Sequence, residues 1–296
     1  MKPHIVKWWS GWTPLVLLPV MFVGLAPSVW PKWLFMWGLA FAIYVGCKWL
    51  TWRRTPIVNT TLFRQLGYLF LWPGLDAAAF LNPDRHPARP SWPEWCFALA
   101  KTALGVVLVF EAVRSVADEN PLLVGWVGMI GSVFALHFGI FHLLSCAWRQ
   151  VEVEAKPLMN WPVLATSVSD FWGRRWNTAF RDLTHRFLFR PLVARLGARG
   201  AVLVGFLFSG VVHEVVISFP AGGGYGGPTL FFALQGVALL VERSAVGRRM
   251  GLGSGFRGRF FTGVVLLAPV YVLFHPPFVL EIIVPFLGAL GELRWI

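Results

Sequence analysis

The sequence predicts an all-α, polytopic membrane protein. Of its 296 residues, 56% are hydrophobic and only 14% are charged, which is far from the composition of an average soluble domain. The apolar residues form long runs, and about eight of these are long enough, or nearly so, to cross ~30 Å of hydrocarbon as helices. The runs are residues 12–26, 33–50, 95–116, 122–148, 201–219, 230–241, 261–274 and 278–290.

The first run lacks a clear small-residue cleavage site, so we expect it to stay in the membrane. No internal repeat is visible, and we predict a single integral-membrane domain over residues 1–296, with its core motifs within 60–280. Cys47, Cys96 and Cys146 each lie in or beside an apolar run. This position predicts small core side chains, with neither a disulfide framework nor a metal site.

The basic residues indicate which loops face the cytoplasm. The formal net charge is +12, and most of the Lys and Arg lie between the predicted spans, where the positive-inside rule assigns loops to the cytoplasm. These basic segments are Lys2 and Lys7, residues 48–64, residues 85–89, residues 149–199 and residues 243–259. Contact with anionic lipid headgroups accounts for this charge, so no nucleic-acid partner is expected. Both termini are predicted to be cytoplasmic, and in a bacterium the membrane would be the inner one.

The apolar segment 67–81 does not fit this series of spans, because basic residues flank both of its ends. Pro73 and Gly74 interrupt it, and a proline inside a helix removes a backbone hydrogen bond. Irregular backbone is tolerated at membrane depth only where protein buries it. We therefore predict a re-entrant or interfacial hairpin at this segment.

The long loop 149–199 has a helical period in its second half. Four apolar side chains fall on one stripe and three basic ones lie opposite, which predicts an amphipathic helix in the cytoplasmic membrane surface. The apolar residues are Trp176, Phe180, Leu183 and Phe187, and the basic ones are Arg174, Arg181 and His185. Ser169 or Asp170 is the expected N-cap, and Pro191 is expected to end the helix.

The segment "FLFSGVVHEVVISF" sets ionisable residues inside an apolar run. If the span begins near residue 201, His213 lies ~18 Å along it, within the hydrocarbon layer. Ionisable groups at this depth are rare and face a cavity or a partner. Glu214 follows directly, but adjacent residues point about 100° apart on a helix; Ser209 shares the face of His213. The alternative is that His213 only forms an interhelical hydrogen bond.

The block "DFWGRRWN", residues 170–177, places two tryptophans, two arginines and an asparagine in a chain that is otherwise apolar. The arginines could be ordinary interfacial cations, and Trp172 and Trp176 ordinary aromatics of the membrane interface. Together with a buried histidine, however, they suit acyl transfer from a phosphate-bearing donor to an apolar alcohol. Arginine binds phosphate, and the histidine can act as general base on a hydroxyl without a covalent enzyme intermediate.

At these residues the chain resembles the wax synthase branch of the membrane-bound O-acyltransferases. Similar proteins carry a "D/EFWGRRWN" block and an "SGxxHE" block, here residues 170–177 and 209–214. The resemblance extends to "LFLWPGLDAAAFL", "FHLLSCAWR", "PAGGGYGGPTLFFALQG" and "VLFHPPF", and so it covers most of the chain after about residue 60.

The resemblance implies transfer of a fatty acyl group from acyl-CoA to the hydroxyl of a long-chain alcohol or another lipid alcohol. His213 matches the family's catalytic histidine and is the expected base, and Asn177 matches the paired asparagine, which positions the donor or stabilises the oxyanion. Six further residues are expected to bind substrate: Trp172, Arg174, Arg175, Trp176, Ser209 and Glu214. Acyl-CoA is a co-substrate, and no bound cofactor or metal is expected.

A second hypothesis comes from a different class of protein. A non-catalytic lipid-binding protein or lipid transporter would use the same buried polar residues to bind lipid, and it would release no thiol from acyl-CoA. The pairing of the arginine and tryptophan block with a buried histidine in a later span favours the enzyme, because passive binding does not require that pairing.

Overall fold

The computed structural model describes residues 11–56, 59–116 and 120–291. These residues form helices joined by turns and short extended segments, with no β-strand among them. The predicted all-α class is confirmed. Lys2, Lys7 and the two chain ends, which we predict to be cytoplasmic, lie outside the described residues.

The helices follow one another with short connections, apart from the stretch between residues 150 and 168. In chain order they are α1 Thr13–Leu25, α2 Lys32–Arg53, α3 Leu62–Leu66, α4 Ala77–Phe80, α5 Trp92–Ser115, α6 Pro121–Gln150, α7 Val168–Asp170, α8 Thr178–Ala221, α9 Gly227–Arg243, α10 Ala245–Met250, α11 Gly255–Leu273 and α12 Pro276–Ala289.

Five of the described helices, α2, α5, α6, α8 and α11, are long and apolar enough to cross a membrane. The chain is an integral membrane protein. Each of the eight predicted runs is helical over most of its length, but α1 and α12 are shorter apolar helices. Helix α9 has 17 residues, which corresponds to a rise of about 26 Å. Eight membrane crossings therefore stay a prediction.

The helical structure is interrupted at Pro73 and Gly74, as their positions in the sequence predict. Residues 72–76 are extended between the π-helical turn that continues α3 and the start of α4. Helix α2 binds two carbonyl groups of this segment: the Tyr44 hydroxyl donates to the carbonyl oxygen of Trp72 at 3.0 Å, and the side-chain nitrogen of Lys48 donates to that of Gly74. Irregular backbone of this kind can be buried in protein. The depth of this segment in the membrane stays a prediction.

The amphipathic helix after the polar block begins later than predicted. Neither Ser169 nor Asp170 is its N-cap, because a turn at residues 176 and 177 interrupts the helical period. Ser167 caps the one-turn helix α7, with its hydroxyl accepting from the backbone N–H of Asp170. Asn177 caps α8, with its side-chain oxygen accepting from a backbone N–H of the first turn.

The amphipathic helix also ends later than predicted. Pro191 does not end it, because it lies in the first turn of the α-helical stretch that follows a π-helical turn at His185–Phe189. At this change from π-helical to α-helical hydrogen bonding, the proline does not interrupt the helix. The change of direction falls instead at Gly197, whose φ of 66° and ψ of 173° are not helical. We call the residues of α8 before Gly197 its surface part and those after Gly197, which lie in a predicted span, its spanning part.

The polar segment 168–177 packs between membrane helices. Val168 lies in a buried cluster with Ala238 and Leu239 of α9, and Trp172 and Phe206 pack against this cluster. Because Phe206 belongs to the spanning part of α8, the segment touches both helices that form the wall of the cavity described next.

Candidate active site

A cavity of about 520 Å³ lies between the polar segment, the surface part of α8, the spanning part of α8 and α9. This volume falls within the usual range for small-molecule sites, about 300–1,000 Å³. Five of the eight predicted site residues line it: Trp172, Trp176, Asn177, Ser209 and His213. The fold therefore brings the two predicted catalytic residues to one cavity, although 36 positions separate them in the sequence.

The hydrogen bonding of His213 fixes which of its ring nitrogens can accept a proton. Its Nδ1 lies 2.7 Å from the carbonyl oxygen of Ser209. A carbonyl only accepts, so Nδ1 donates, and in the neutral ring Nε2 then carries the free lone pair. The ring also packs on Phe232, with centroids 4.4 Å apart. A π-helical turn begins directly after His213, an irregularity that is frequent at functional sites.

Asn177 occupies a backbone conformation that suits asparagine better than most residues. Its φ of 39° and ψ of 63° are left-handed, a region in which Asn is several-fold enriched among non-glycine residues. Its Oδ1 accepts from the backbone N–H of Phe180 at 3.3 Å, which fixes the orientation of the amide. Within the described part of the chain, its amide nitrogen makes no hydrogen bond, and it can donate to a ligand in the cavity.

A neighbouring extended segment holds the corner at Asn177 in place. The backbone N–H of Asn160 donates to the carbonyl oxygen of Arg175 at 2.8 Å, and that of Thr178 donates to the carbonyl oxygen of Leu158 at 3.0 Å. These two hydrogen bonds fix the chain on both sides of Asn177. The left-handed corner is therefore built into the backbone before any ligand binds.

Asp170 organises the two arginines of the block. Its buried carboxylate accepts from Arg174 Nε at 2.9 Å and from Arg175 Nε at 2.6 Å, and from the backbone N–H of Thr166 at 3.2 Å. Burial acts to raise the pKa of Asp170, but the hydrogen bond from Arg175, the backbone donor and the two positive charges outweigh it and hold the pKa below its usual value. The carboxylate is therefore charged at neutral pH.

The two arginines have different surroundings, although they are adjacent in the sequence. The Arg175 side chain is 23% exposed, and its Nη1 donates to the carbonyl oxygens of Asn160 and Trp161. The Arg174 side chain is 74% exposed and lines a second cavity of about 360 Å³. Neither arginine lines the larger cavity, and their predicted role in substrate binding stays a prediction.

Glu214 points away from the larger cavity. Its Oε1 accepts from the backbone N–H of Gly226 and from the backbone N–H and hydroxyl of Thr229, each at 3.0 Å. These contacts attach the carboxylate to the first turn of α9. Glu214 therefore binds the N-terminus of α9, and its contact with substrate stays a prediction.

Two buried polar residues of α9, which the sequence analysis does not single out, hold the polar segment. Gln235 is fully buried; it accepts from Trp172 Nε1 at 3.3 Å and donates to the carbonyl oxygen of Val265 at 2.9 Å. Glu242 is also buried and accepts from the backbone N–H of Val168 at 2.6 Å. The sequence feature that could have identified them is a polar residue within or beside an apolar run, because such a residue usually has a polar partner.

A further polar cluster joins α5 to α6. Potential metal-ligating atoms of Glu94, His142 and Cys146 lie within 4.8 Å of one another. Arg149, however, donates to Glu94 and to the Cys146 sulfur, and Lys101 Nζ lies 2.7 Å from His142 Nδ1. Two cations therefore occupy the positions around these atoms, and the cluster is better described as an ion-pair network than as a metal site.

The ion pairs of Asp170 predict how stability depends on pH. Because the pKa of Asp170 is lowered in the folded protein, its contribution is complete above the unfolded pKa of about 4 and is lost as pH falls through the folded pKa. We expect Asp170→Asn to lower the free energy of unfolding by about 1–3 kcal/mol at neutral pH, and to remove this part of the acid-dependent loss. Thermal unfolding in detergent, followed across a pH series, measures both effects.

The matched control is Asp84→Asn, because Asp84 is an exposed loop residue. Surface changes of this kind usually alter stability by no more than about 0.5 kcal/mol. Equal stability of the Asp170→Asn variant and the unchanged protein at neutral pH would contradict the organising role of Asp170.

Comparison with known proteins gives two kinds of similarity. The sequence profile described as the Membrane bound O-acyl transferase family matches residues 155–234. This stretch contains the polar segment, both parts of α8 and the first turns of α9. It therefore includes both Asn177 and His213.

The chain is also similar to individual plant proteins. It is 36% identical over 157 residues to a long-chain-alcohol O-fatty-acyltransferase of Simmondsia chinensis, covering 47% of this chain and 45% of the relative. It is 28% identical over 216 residues to the probable long-chain-alcohol O-fatty-acyltransferase 9 of Arabidopsis thaliana, covering 67% of this chain and 61% of the relative. An acyl-CoA–sterol O-acyltransferase 1 of the same plant is 27% identical over 124 residues, which is 40% of this chain and 36% of the relative.

The chain thus spans about half the length of the first two of these relatives. The profile match includes the blocks at residues 170–177 and 209–214, on which the resemblance mainly rests. This chain is therefore similar to wax synthase-like members of the membrane-bound O-acyltransferases, and the resemblance that its motifs indicate is confirmed.

Proposed function

We propose that the protein transfers a fatty acyl group from acyl-CoA to the hydroxyl of a long-chain alcohol or another lipid alcohol, forming an ester. The observation that carries the proposal is the cavity that His213 and Asn177 share, with one ring nitrogen and one amide nitrogen available to a ligand. The names of the plant relatives point to the same reaction and the same acceptor class.

His213 is the general base in this proposal. Its Nε2 takes the proton of the alcohol while the alcohol oxygen attacks the thioester carbonyl carbon. The C–S bond then breaks, and the thiolate sulfur of CoA takes the proton from Nε2, so the ring returns to its starting state. A positioned base of this kind accounts for about 10²–10⁴ in rate. The hydrogen bond from Nδ1 to Ser209 holds the ring in the tautomer that this step requires.

Asn177 stabilises the negative charge that develops on the thioester oxygen. Its amide nitrogen donates to that oxygen, and the fixed left-handed corner means that little reorganisation is needed during the reaction. Removal of one such donor in other enzymes costs about 10²–10³ in rate. Asn177 therefore acts on the donor, while His213 acts on the acceptor.

The walls of the cavity suit an apolar substrate. The aromatic residues Trp172, Trp176, Phe206 and Phe232 line it, and the Phe232 ring packs on His213. Such walls bind a hydrocarbon chain and exclude water from the reacting groups. This favours a lipid alcohol over a small polar acceptor, and the reaction needs no bound cofactor.

The polar half of acyl-CoA would bind next to this cavity. Arg181 and Asp182 line both the larger cavity and the smaller one. The smaller cavity also carries Arg85, Lys156 and Arg174, together with the carboxylates of Asp76 and Glu154; the cations among them can pair with phosphate groups. In this arrangement the donor lies at the membrane surface, and its thioester reaches inward to Asn177.

In the proposed topology, the smaller cavity, where the polar half of acyl-CoA would bind, faces the cytoplasm. The basic loops there include residues 149–199, both chain ends would lie on the same side, and the eight apolar helices would cross or enter the bilayer, with residues 67–81 as a hairpin. The whole chain would form one domain, and a bacterial host would carry it in the inner membrane.

Release of free CoA thiol tests the proposed reaction. Purified protein in lipid nanodiscs, given acyl-CoA and a fatty alcohol, should release thiol and form ester in equal amounts. We expect His213→Ala to lower turnover by about 10²-fold or more. We expect Asn177→Gly to lower it to a similar extent, and glycine tolerates the left-handed backbone, so this loss is not caused by strain.

The His213→Asn variant controls for folding, because its side-chain amide can still donate a hydrogen bond within the helix but cannot act as base. Turnover at the unchanged rate in a folded His213 variant would contradict the base assignment. Lipid binding with no thiol release would instead support the lipid-binding or transport alternative.

The two arginines give a second test of donor binding. We expect Arg174→Gln to raise the KM for acyl-CoA severalfold with little change in kcat or in thermal stability, because the side chain is largely exposed and its ion pair contributes little. The matched change Arg175→Gln removes the ion pair with Asp170 and the hydrogen bonds to the carbonyl oxygens of Asn160 and Trp161. It should therefore lower thermal stability. An unchanged KM in the Arg174 variant would contradict a role in binding the phosphates.

A further inference from the structure

Gly205 lies on the cavity face of α8 in line with the proposed base. Gly205, Ser209 and His213 follow one another at intervals of four residues, so they share one face of the helix, and all three line the cavity. Gly205 is two turns closer to Gly197 than His213 is, a distance of about 12 Å along the helix. It therefore borders the part of the cavity that extends along α8 from His213 towards Ala201, another lining residue.

Helix packing does not account for a glycine at this position. A Cβ placed on Gly205 would meet no atom within 4 Å. Gly210 in the same helix differs, because a Cβ there would lie 2.7 Å from Thr229 Cα of α9. Gly210 thus permits the close approach of two helices, whereas the space beside Gly205 belongs to the cavity. Glycine also costs about 1 kcal/mol relative to alanine inside a helix.

The walls of this cavity are partly apolar and partly polar. Phe180, Phe189, Val202 and Phe206 line it, and so do Ser169, Arg181, Asp182, Thr184, His185 and Arg243. Val202 and Phe206 are the apolar lining residues next to Gly205 along α8, so a hydrocarbon chain that runs along this face of the helix contacts apolar groups. A larger side chain at Gly205 would occupy the space that such a chain needs.

We propose that Gly205 determines the length of the hydrocarbon chain that the cavity accepts when the reacting group of that chain is at His213. The inference rests on the proposed function, since it takes His213 as the reacting end of the cavity. The chain has two possible sources, the acyl group of the donor and the alkyl group of the acceptor alcohol. A short chain ends before it reaches Gly205, and a long chain passes the glycine.

A graded series of substitutions tests this inference. In Gly205→Ala, Gly205→Val and Gly205→Leu, the ratio of kcat/KM for the longest substrates to that for the shortest should fall stepwise, by about tenfold or more in the leucine variant, since one methylene in an apolar pocket changes rates by about 10–200-fold. One arm varies the acyl chain at a fixed alcohol, and the other varies the alcohol at a fixed acyl chain. The arm whose optimum moves to shorter chains identifies the source.

Gly263→Leu is the matched control. Gly263 lies in α11, a Cβ there also meets no atom within 4 Å, and it does not line the cavity. In the Gly263→Leu variant, kcat/KM should depend on substrate chain length as it does in the unchanged protein. An equal fall at all chain lengths in the Gly205 series, or no change in either arm, would overturn the inference.

A measurement of alcohol binding distinguishes failure of this inference from failure of the proposed reaction. If the unchanged protein releases no thiol, the proposed function fails, but alcohols that bind the cavity should still raise its melting temperature. In that case Gly205→Leu should lose the stabilisation by long alcohols and keep that by short ones. The same loss for both would refute the role of Gly205.

Discussion

The buried carboxylate of Asp170 is the interaction on which the site depends. A buried carboxylate is costly away from water unless a cation and hydrogen bonds compensate it, and here the mostly buried Arg175 and the largely exposed Arg174 both bind the Asp170 carboxylate. Asp170 binds both arginines through Nε, and Trp172 and Trp176, which flank the arginine pair in the sequence, line the cavity. The polar block is therefore a folded unit, in which charge pairing orients the aromatic residues and the asparagine.

The second requirement is that this unit is held against a membrane-spanning helix. Glu242 and Gln235 of α9 meet it at its start and at Trp172, and α9 packs along the spanning part of α8, which carries His213. Asn177 reaches the cavity from the side of the surface helix, and His213 reaches it from within the bundle. In the proposed reaction, the water-soluble donor would reach this cavity from the side of Asn177, and the lipid acceptor would reach it from within the bundle.

Much of this arrangement could be predicted from the sequence. Hydropathy predicts helices because each helix of the membrane bundle must satisfy its own backbone, and the eight apolar runs are helical. The helix ends were less predictable: the period of the apolar stripe does not reveal the left-handed turn at Asn177, and Pro191 can lie in a first turn as readily as after a last one. The separate surroundings of Arg174 and Arg175 were not predictable either, because they depend on Asn160 and Trp161, which the loop brings back from earlier in the chain. The same applies to Gln235, whose partner Trp172 lies 63 residues away.

A structure with a ketone analogue of acyl-CoA, in which a methylene group separates the carbonyl from the sulfur, tests the proposed roles of Asn177 and His213 most directly. If both act as proposed, the carbonyl oxygen lies about 2.7–3.1 Å from the amide nitrogen of Asn177, and His213 Nε2 faces the carbonyl carbon across the space for an alcohol oxygen. A carbonyl group held outside the cavity, or a His213 ring that the bound chain does not reach, would contradict these roles.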